Sequence, residues 1–127
     1  MIRAMATIDY RDPTRPERQL FQKLLSVDFP GRDELAEQLA SARVHPVDSD
    51  GSLKIQATVA RAAPVSRRVP VEAEVQDTDG IPIYVLLHVV DGRAFEIEVY
   101  KADGSSIRGP LNTDSLVVNA LSHSRGR

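Results

Sequence analysis

The stretch VPVEAEVQDTDGIPIYVLLHVVDGRAFEIEVY, running from Val69 to Tyr100, decides how this chain folds. Val69, Val71, Ala73 and Val75 alternate with Pro70, Glu72, Glu74 and Gln76, and Phe95, Ile97 and Val99 alternate with Glu96, Glu98 and Tyr100. A period of two belongs to a strand with one face on a core, because successive side chains point to opposite sides of a sheet. Between these segments, Ile81 to Val90 is apolar on both faces, as expected of a central strand covered on two sides. Asp79-Gly80 and Asp91-Gly92 separate the three, and Asp-Gly is a leading signal for a two-residue hairpin turn. The stretch therefore predicts two consecutive antiparallel hairpins.

Two-residue turns imply a register. Thr78 then faces Ile81, with Gln76 opposite Ile83 and Glu72 opposite Leu87; Val90 faces Arg93, with Leu86 opposite Ile97. Directly opposed residues share a face. Tyr84, Leu86 and His88 thereby join Val71, Ala73, Ile97 and Val99 on a core face, while Ile83, Val85, Leu87 and Val89 join Glu72, Glu74, Glu96 and Glu98 on the other. A slip of one residue in either hairpin would exchange the faces.

Outward from this centre, alternation continues upstream through Leu53, Ile55, Ala57 and Val59, after the Asp50-Gly51 turn signal. Before it, Leu35, Ala36, Leu39 and Ala42 recur at helical spacing in a segment from about Asp33 to Ala42. Phe29-Pro30-Gly31 separates that segment from an earlier one carrying Leu20, Phe21, Leu24 and Leu25, which Thr14 and Glu17 open with the spacing of a capping box. Helices this short are not stable alone and need a surface to dock on. The expected class is α+β: two short N-terminal helices packed on one face of an antiparallel meander sheet of about five strands. Residues 1–13 read as an extended lead-in and 14–110 as one domain. Residues 111–127 form a C-terminal segment in which Ser115 to Leu121 adds an edge strand or a helix, and the end from His123 frays.

The quoted pieces also carry a resemblance. Phe29-Pro30-Gly31-Arg32-Asp33-Glu34-Leu35, Val69-Pro70-Val71-Glu72-Ala73-Glu74, Val85-Leu86-Leu87-His88-Val89-Val90-Asp91-Gly92 and Glu96-Ile97-Glu98-Val99-Tyr100, with Asp50-Gly51-Ser52-Leu53, resemble a family of small uncharacterised bacterial domains common in actinobacteria. The resemblance runs from Leu24 to about Ile107. It implies a shared fold, and it transfers no chemistry because the family has no assigned activity.

Composition narrows the function classes. A net charge of −2 over 127 residues, with acidic exposed strands, three Phe, three Tyr and no Trp, offers little to nucleic acid. No apolar run is long enough to span a bilayer, and Met1 to Ala6 lacks the pattern of a signal peptide. The absence of cysteine removes thiolate chemistry and fits a reducing, cytoplasmic setting. No histidine has a partner at metal-ligand spacing, and neither a phosphate-cradling Gly-rich loop nor a nucleophile motif occurs. Asp48-Ser49-Asp50-Gly51 and Asp77-Thr78-Asp79-Gly80 lack the twelfth-position Glu of a calcium loop, that position being Val59 or His88, and read as hairpin turns. No catalytic residue, cofactor or metal is expected.

What remains is the framed face. Glu72, Glu74, Glu96 and Glu98 around Val85 and Leu87 read as an interaction surface for a basic protein or for a second copy of the chain. The competing reading is a solvated sheet face whose stripe is covered by a terminal segment. A different class of function, a small-ligand domain or weak enzyme, would use a pocket near Tyr84 and His88.

Overall fold

A computed structural model describes residues 9–57 and 61–121. Helix α1, Arg15–Leu24, begins with the capping box: Thr14 Oγ1 accepts the Glu17 amide at 3.3 Å, and the Glu17 carboxylate accepts the Thr14 amide at 2.9 Å. Arg11 adds a two-pronged pair to the same carboxylate at 2.8 and 2.9 Å, which holds it below the usual glutamate range. Gly31, at φ 90°, turns the chain into α2, Arg32–Ala40. A second constraint makes glycine necessary there, because a Cβ would lie 2.5 Å from the Val65 side chain.

Six strands follow: β1 Arg43–Pro46, β2 Leu53–Gln56, β3 Val71–Gln76, β4 Pro82–Val90, β5 Arg93–Lys101 and β6 Val117–Ala120. They form one antiparallel sheet in the order β1-β2-β5-β4-β3-β6. The expected α+β class holds, with six strands in place of about five. A plain meander does not hold. Only β3-β4-β5 run on as neighbours, while the β1-β2 hairpin lies against β5 and β6 lies against β3. The segment 61–70 makes the first crossing, passing the β4–β5 turn, where the Ala63 amide donates to Gly92 O at 2.8 Å. Of the two alternatives expected for Ser115 to Leu121, the edge strand forms, as β6, and a 3₁₀ turn at Thr113–Ser115 precedes it. Met1 to Ile8, Thr58 and Val59 of the upstream alternation, and the tail from Ser122, including His123, lie outside the described residues.

The register of β4 is a correction. Val71 faces Leu87, Ala73 faces Val85 and Val75 faces Ile83, one residue away from the expected pairing. The cause is the turn. The Asp77 amide donates to Ile81 O and the Gly80 amide to Asp77 O, so three residues, Thr78 to Gly80, form the loop. Only Gly80 has positive φ, at 84°, the geometry of a type I turn closed by a glycine bulge. The next turn does have two residues, Asp91 and Gly92, both with positive φ, and pairs Val90 with Arg93 as expected. A bulge between His88 and Val89 then restores the shift, so that Leu87 faces Ile97 and Val85 faces Val99.

The two shifts together invert β4 alone. Ile83, Val85, Leu87 and Val89 are buried with Val71, Ala73, Ile97 and Val99, in one cluster that also contains Leu20, Phe21 and Leu24 of α1 and Leu35 and Leu39 of α2. Val85 and Leu87 are 0% exposed and cannot belong to an open face. Tyr84, Leu86 and His88 lie on the opposite side of the sheet, half-buried. Phe95, placed in the core by simple alternation, is the bulged residue and is exposed.

Candidate functional site

Opposed residues define rows across the open face. Glu74 on β3 faces Tyr84 on β4, which faces Tyr100 on β5; Glu72 faces Leu86, which faces Glu98; His88 faces Glu96, which faces Lys54 on β2. The strands alternate, so these side chains share one side of the sheet, and the core takes the other. The four glutamates expected at an interaction face are therefore together. The apolar residues between them are Leu86 and the two tyrosine rings, not Val85 and Leu87.

The four carboxylates are not equivalent. His88 Nε2 lies 2.8 Å from Glu98 Oε1, and Arg68 Nε donates to His88 Nδ1 at 3.0 Å. Since Arg68 can only donate, Nδ1 is the accepting nitrogen and Nε2–H donates to Glu98. Both imidazole nitrogens are thereby occupied. Glu96 pairs with Lys54 at 3.7 Å. Lys54 also sits 4.4 Å from the centre of the Phe95 ring, with the Arg68 guanidinium 5.7 Å away, so the bulged ring is flanked by cations. Among the described residues, Glu72 and Glu74 make no ion pair or side-chain hydrogen bond. Beside them Tyr84 and Tyr100 pack at 5.5 Å between ring centroids. Partial burial first, then the nearby Glu98, Tyr84 and Glu72, push the Tyr100 phenol above its ordinary value.

Tyr84 and His88, expected to flank an alternative pocket, lie on the open face, and neither lines any of the four clefts described. One of these clefts, about 390 Å³, lies between α1, the Asp48–Gly51 turn and residues 107–113, with Leu20, Leu53, Val99, Ile107 and Leu111 in its lining. The described residues include no group of three or more His, Asp or Glu side chains placed to hold a metal. Asp48 Oδ1 accepts the amides of Asp50 and Ser52, and Asp77 and Asp79 are engaged by a buried lysine.

That lysine, Lys101, is one of the buried polar residues not expected from the sequence. It ends β5, 2% exposed, with its ammonium 2.9 Å from Asp77 and 2.6 Å from Asp79. Asp77 also accepts the amides of Arg108 at 2.7 Å and Gly109 at 3.2 Å, which anchors the second crossing segment. These bonds, the Arg108 amide foremost and then Lys101, hold its carboxyl far below the usual aspartate range. Another is Gln38 of α2, 0% exposed, whose Nε2 donates to Arg61 O and Gly92 O and whose Oε1 accepts the Ala94 amide, all at 2.8 Å. The available signal was weak: an alternating β5 places Lys101 on the inward side, and Gln38 lies three residues after Leu35 on the helical stripe. Both read as structural locks that set the shape of the sheet ends.

No helix among the described residues is long and apolar enough to cross a membrane. A family model described as a domain of unknown function, DUF6984, matches residues 10–110. No curated protein and no solved structure matches the chain.

Proposed function

This chain belongs to the DUF6984 family, a domain of unknown function, and from the open face of its sheet we propose a non-catalytic domain that binds a basic segment of a partner protein. The observation that carries the reading is the contrast among the four glutamates. Glu96 pairs with Lys54 and Glu98 accepts the His88 Nε2–H, whereas among the described residues Glu72 and Glu74 have neither an ion pair nor a side-chain hydrogen bond and lie beside the Tyr84–Tyr100 pair. A tyrosine pair offers flat, rigid contact area and a π face, and adjacent carboxylates supply the charge for an incoming Arg or Lys. Charges at such a rim speed association and select the sign of the partner, while the rings retain it. A bacterial, cytoplasmic setting belongs to the same proposal and rests on the sequence resemblance and the absence of cysteine.

The chain has no tryptophan and three tyrosines, two of them in this face, so tyrosine fluorescence reports on it directly. Titration with an arginine-rich peptide should change that emission, and added salt should weaken the effect because exposed charges are screened beyond ~8 Å. Glu72→Gln with Glu74→Gln should abolish the salt-sensitive part without lowering stability. If the peptide binds the double variant as it binds the wild type, the face is an ordinary solvated surface.

A further inference from the structure

We infer that the outer edge of β6 docks a second copy of this chain, which continues the sheet antiparallel about a two-fold axis with Asn119 of each copy opposite the other. The inference goes beyond the face reading and uses a different part of the molecule.

The two edges of the sheet are managed differently. Hydrogen-bonded pairs alternate along an antiparallel ladder, so one known bond assigns the rest. The Val47 amide donates to Ser52 O, which puts the backbone groups of Arg43 and His45 toward β2 and those of Val44 and Pro46 outward. Both outward positions are blocked. Val44 exchanges two bonds with Arg11, each of 2.8 Å, and Pro46 has no N–H. At the other edge, the Leu121 amide donates to Pro70 O at 2.8 Å, which puts Asn119 and Val117 toward β3 and leaves Val118 and Ala120 facing outward. No described residue bonds to those outward groups. The strand has no charge, no proline and no bulge, the devices that ordinarily keep an edge from pairing.

A second β6 meets this edge with matching groups. Centred on Asn119, the register pairs Val118 with Ala120 of the other copy, and the reverse, so each outward amide and carbonyl of these residues finds a partner. On the open-face side, Val117, which is 63% exposed, comes opposite Leu121 of the other copy on both sides of the paired asparagines. Charge permits the arrangement. The Glu72 rows of the two copies are separated by three strand spacings, about 14 Å. That exceeds the ~8 Å over which exposed charges act at physiological ionic strength.

Sedimentation of the full chain over a wide concentration range should show a monomer giving way to a dimer. Asn119→Lys should remain monomeric throughout, since it sets two cations face to face at the axis. Within one copy the same lysine lies opposite Glu72, so its thermal stability should not fall. Because the chain has no cysteine, Asn119→Cys should give a covalent dimer on mild oxidation. A non-hydrogen-bonded pair holds its Cα atoms about 4.5 Å apart, within disulfide reach. Val117→Cys, four positions from its own copy, should not. A wild-type chain monomeric at every concentration, a dimer that survives Asn119→Lys, or equal cross-linking at both positions would overturn the inference.

Discussion

Leu87 and Leu86 are chemically identical neighbours with opposite surroundings. Leu87 is 0% exposed and faces Val71 and Ile97 in the core, while Leu86 is half-buried between Glu72 and Glu98. Removing a fully buried leucine leaves a cavity that a packed interior closes only partly, so Leu87→Ala should cost ~2–5 kcal/mol. Leu86→Ala should cost clearly less, because water already reaches part of its surface. Chemical denaturation of the pair tests the register directly, and equal costs would contradict the inverted face of β4. The same burial means that Leu87→Lys should unfold the domain, so a binding surface cannot be probed there. His88 is also changed by its side of the sheet: half-buried on the open face, it bridges Arg68 and Glu98.

At the scale of elements, the turns carry the decision. Gly80 and Gly92 both have positive φ, 84° and 75°, where an L side chain costs about 1–2 kcal/mol. Their surroundings separate them. A Cβ at Gly80 would meet nothing within 4 Å, whereas one at Gly92 would lie 2.8 Å from Ala63 O and 3.0 Å from Ala62 Cβ. Gly80→Ala should therefore show only the backbone cost in a melting experiment. Gly92→Ala should lose distinctly more, because the crossing segment must move off the hairpin and Gln38 must give up its bond to Gly92 O. Comparable losses would mean that the crossing segment is not packed against this turn in solution. Gln38 also accepts the Ala94 amide next to the bulge that leaves Phe95 exposed.

For the whole molecule, two crossing segments join strands that are not neighbours, and each is tied down at one end of the sheet. At the β3–β4 end the tie is ionic: Asp77 and Asp79 around Lys101, with Arg108 3.2 Å from Asp79. Both carboxyls titrate below their ordinary value, Asp77 chiefly through the Arg108 amide and then Lys101, Asp79 chiefly through Lys101. A depressed folded-state pKa stabilises the fold fully above the unfolded value near 3.9, and that contribution fades as pH falls from there toward the folded value. Urea midpoints should accordingly drop on acidification below about pH 4. Asp77→Asn should start lower at neutral pH and fall less, so that the two curves converge in acid. A gap of constant size would show that Asp77 gains nothing from its charge. Alternation alone does not register this tie, because lysine is rarely buried and its partners lie more than twenty positions away.

Local chemistry settled much of this protein in advance. The capping box at Thr14, the break at Phe29-Pro30-Gly31, the strand segments and the Asp-Gly turn sites follow from bonds and steric limits spanning a few residues, and the sequence determined them by itself. It also placed Glu72, Glu74, Glu96 and Glu98 on one face, because β3 and β5 each have one polar and one apolar side. The face of β4 was beyond its reach. Ile83, Val85, Leu87 and Val89 are no more apolar as a set than a core needs, but Leu86 and Val90 make the other side nearly as suitable, so periodicity is almost degenerate there. Only a three-residue loop closed at Asp77 and a bulge at Phe95 chose between them. Strand order was equally out of reach, since placing β2 beside β5 depends on contacts between segments some forty residues apart. Such contacts leave no local period, and the tertiary structure decided them.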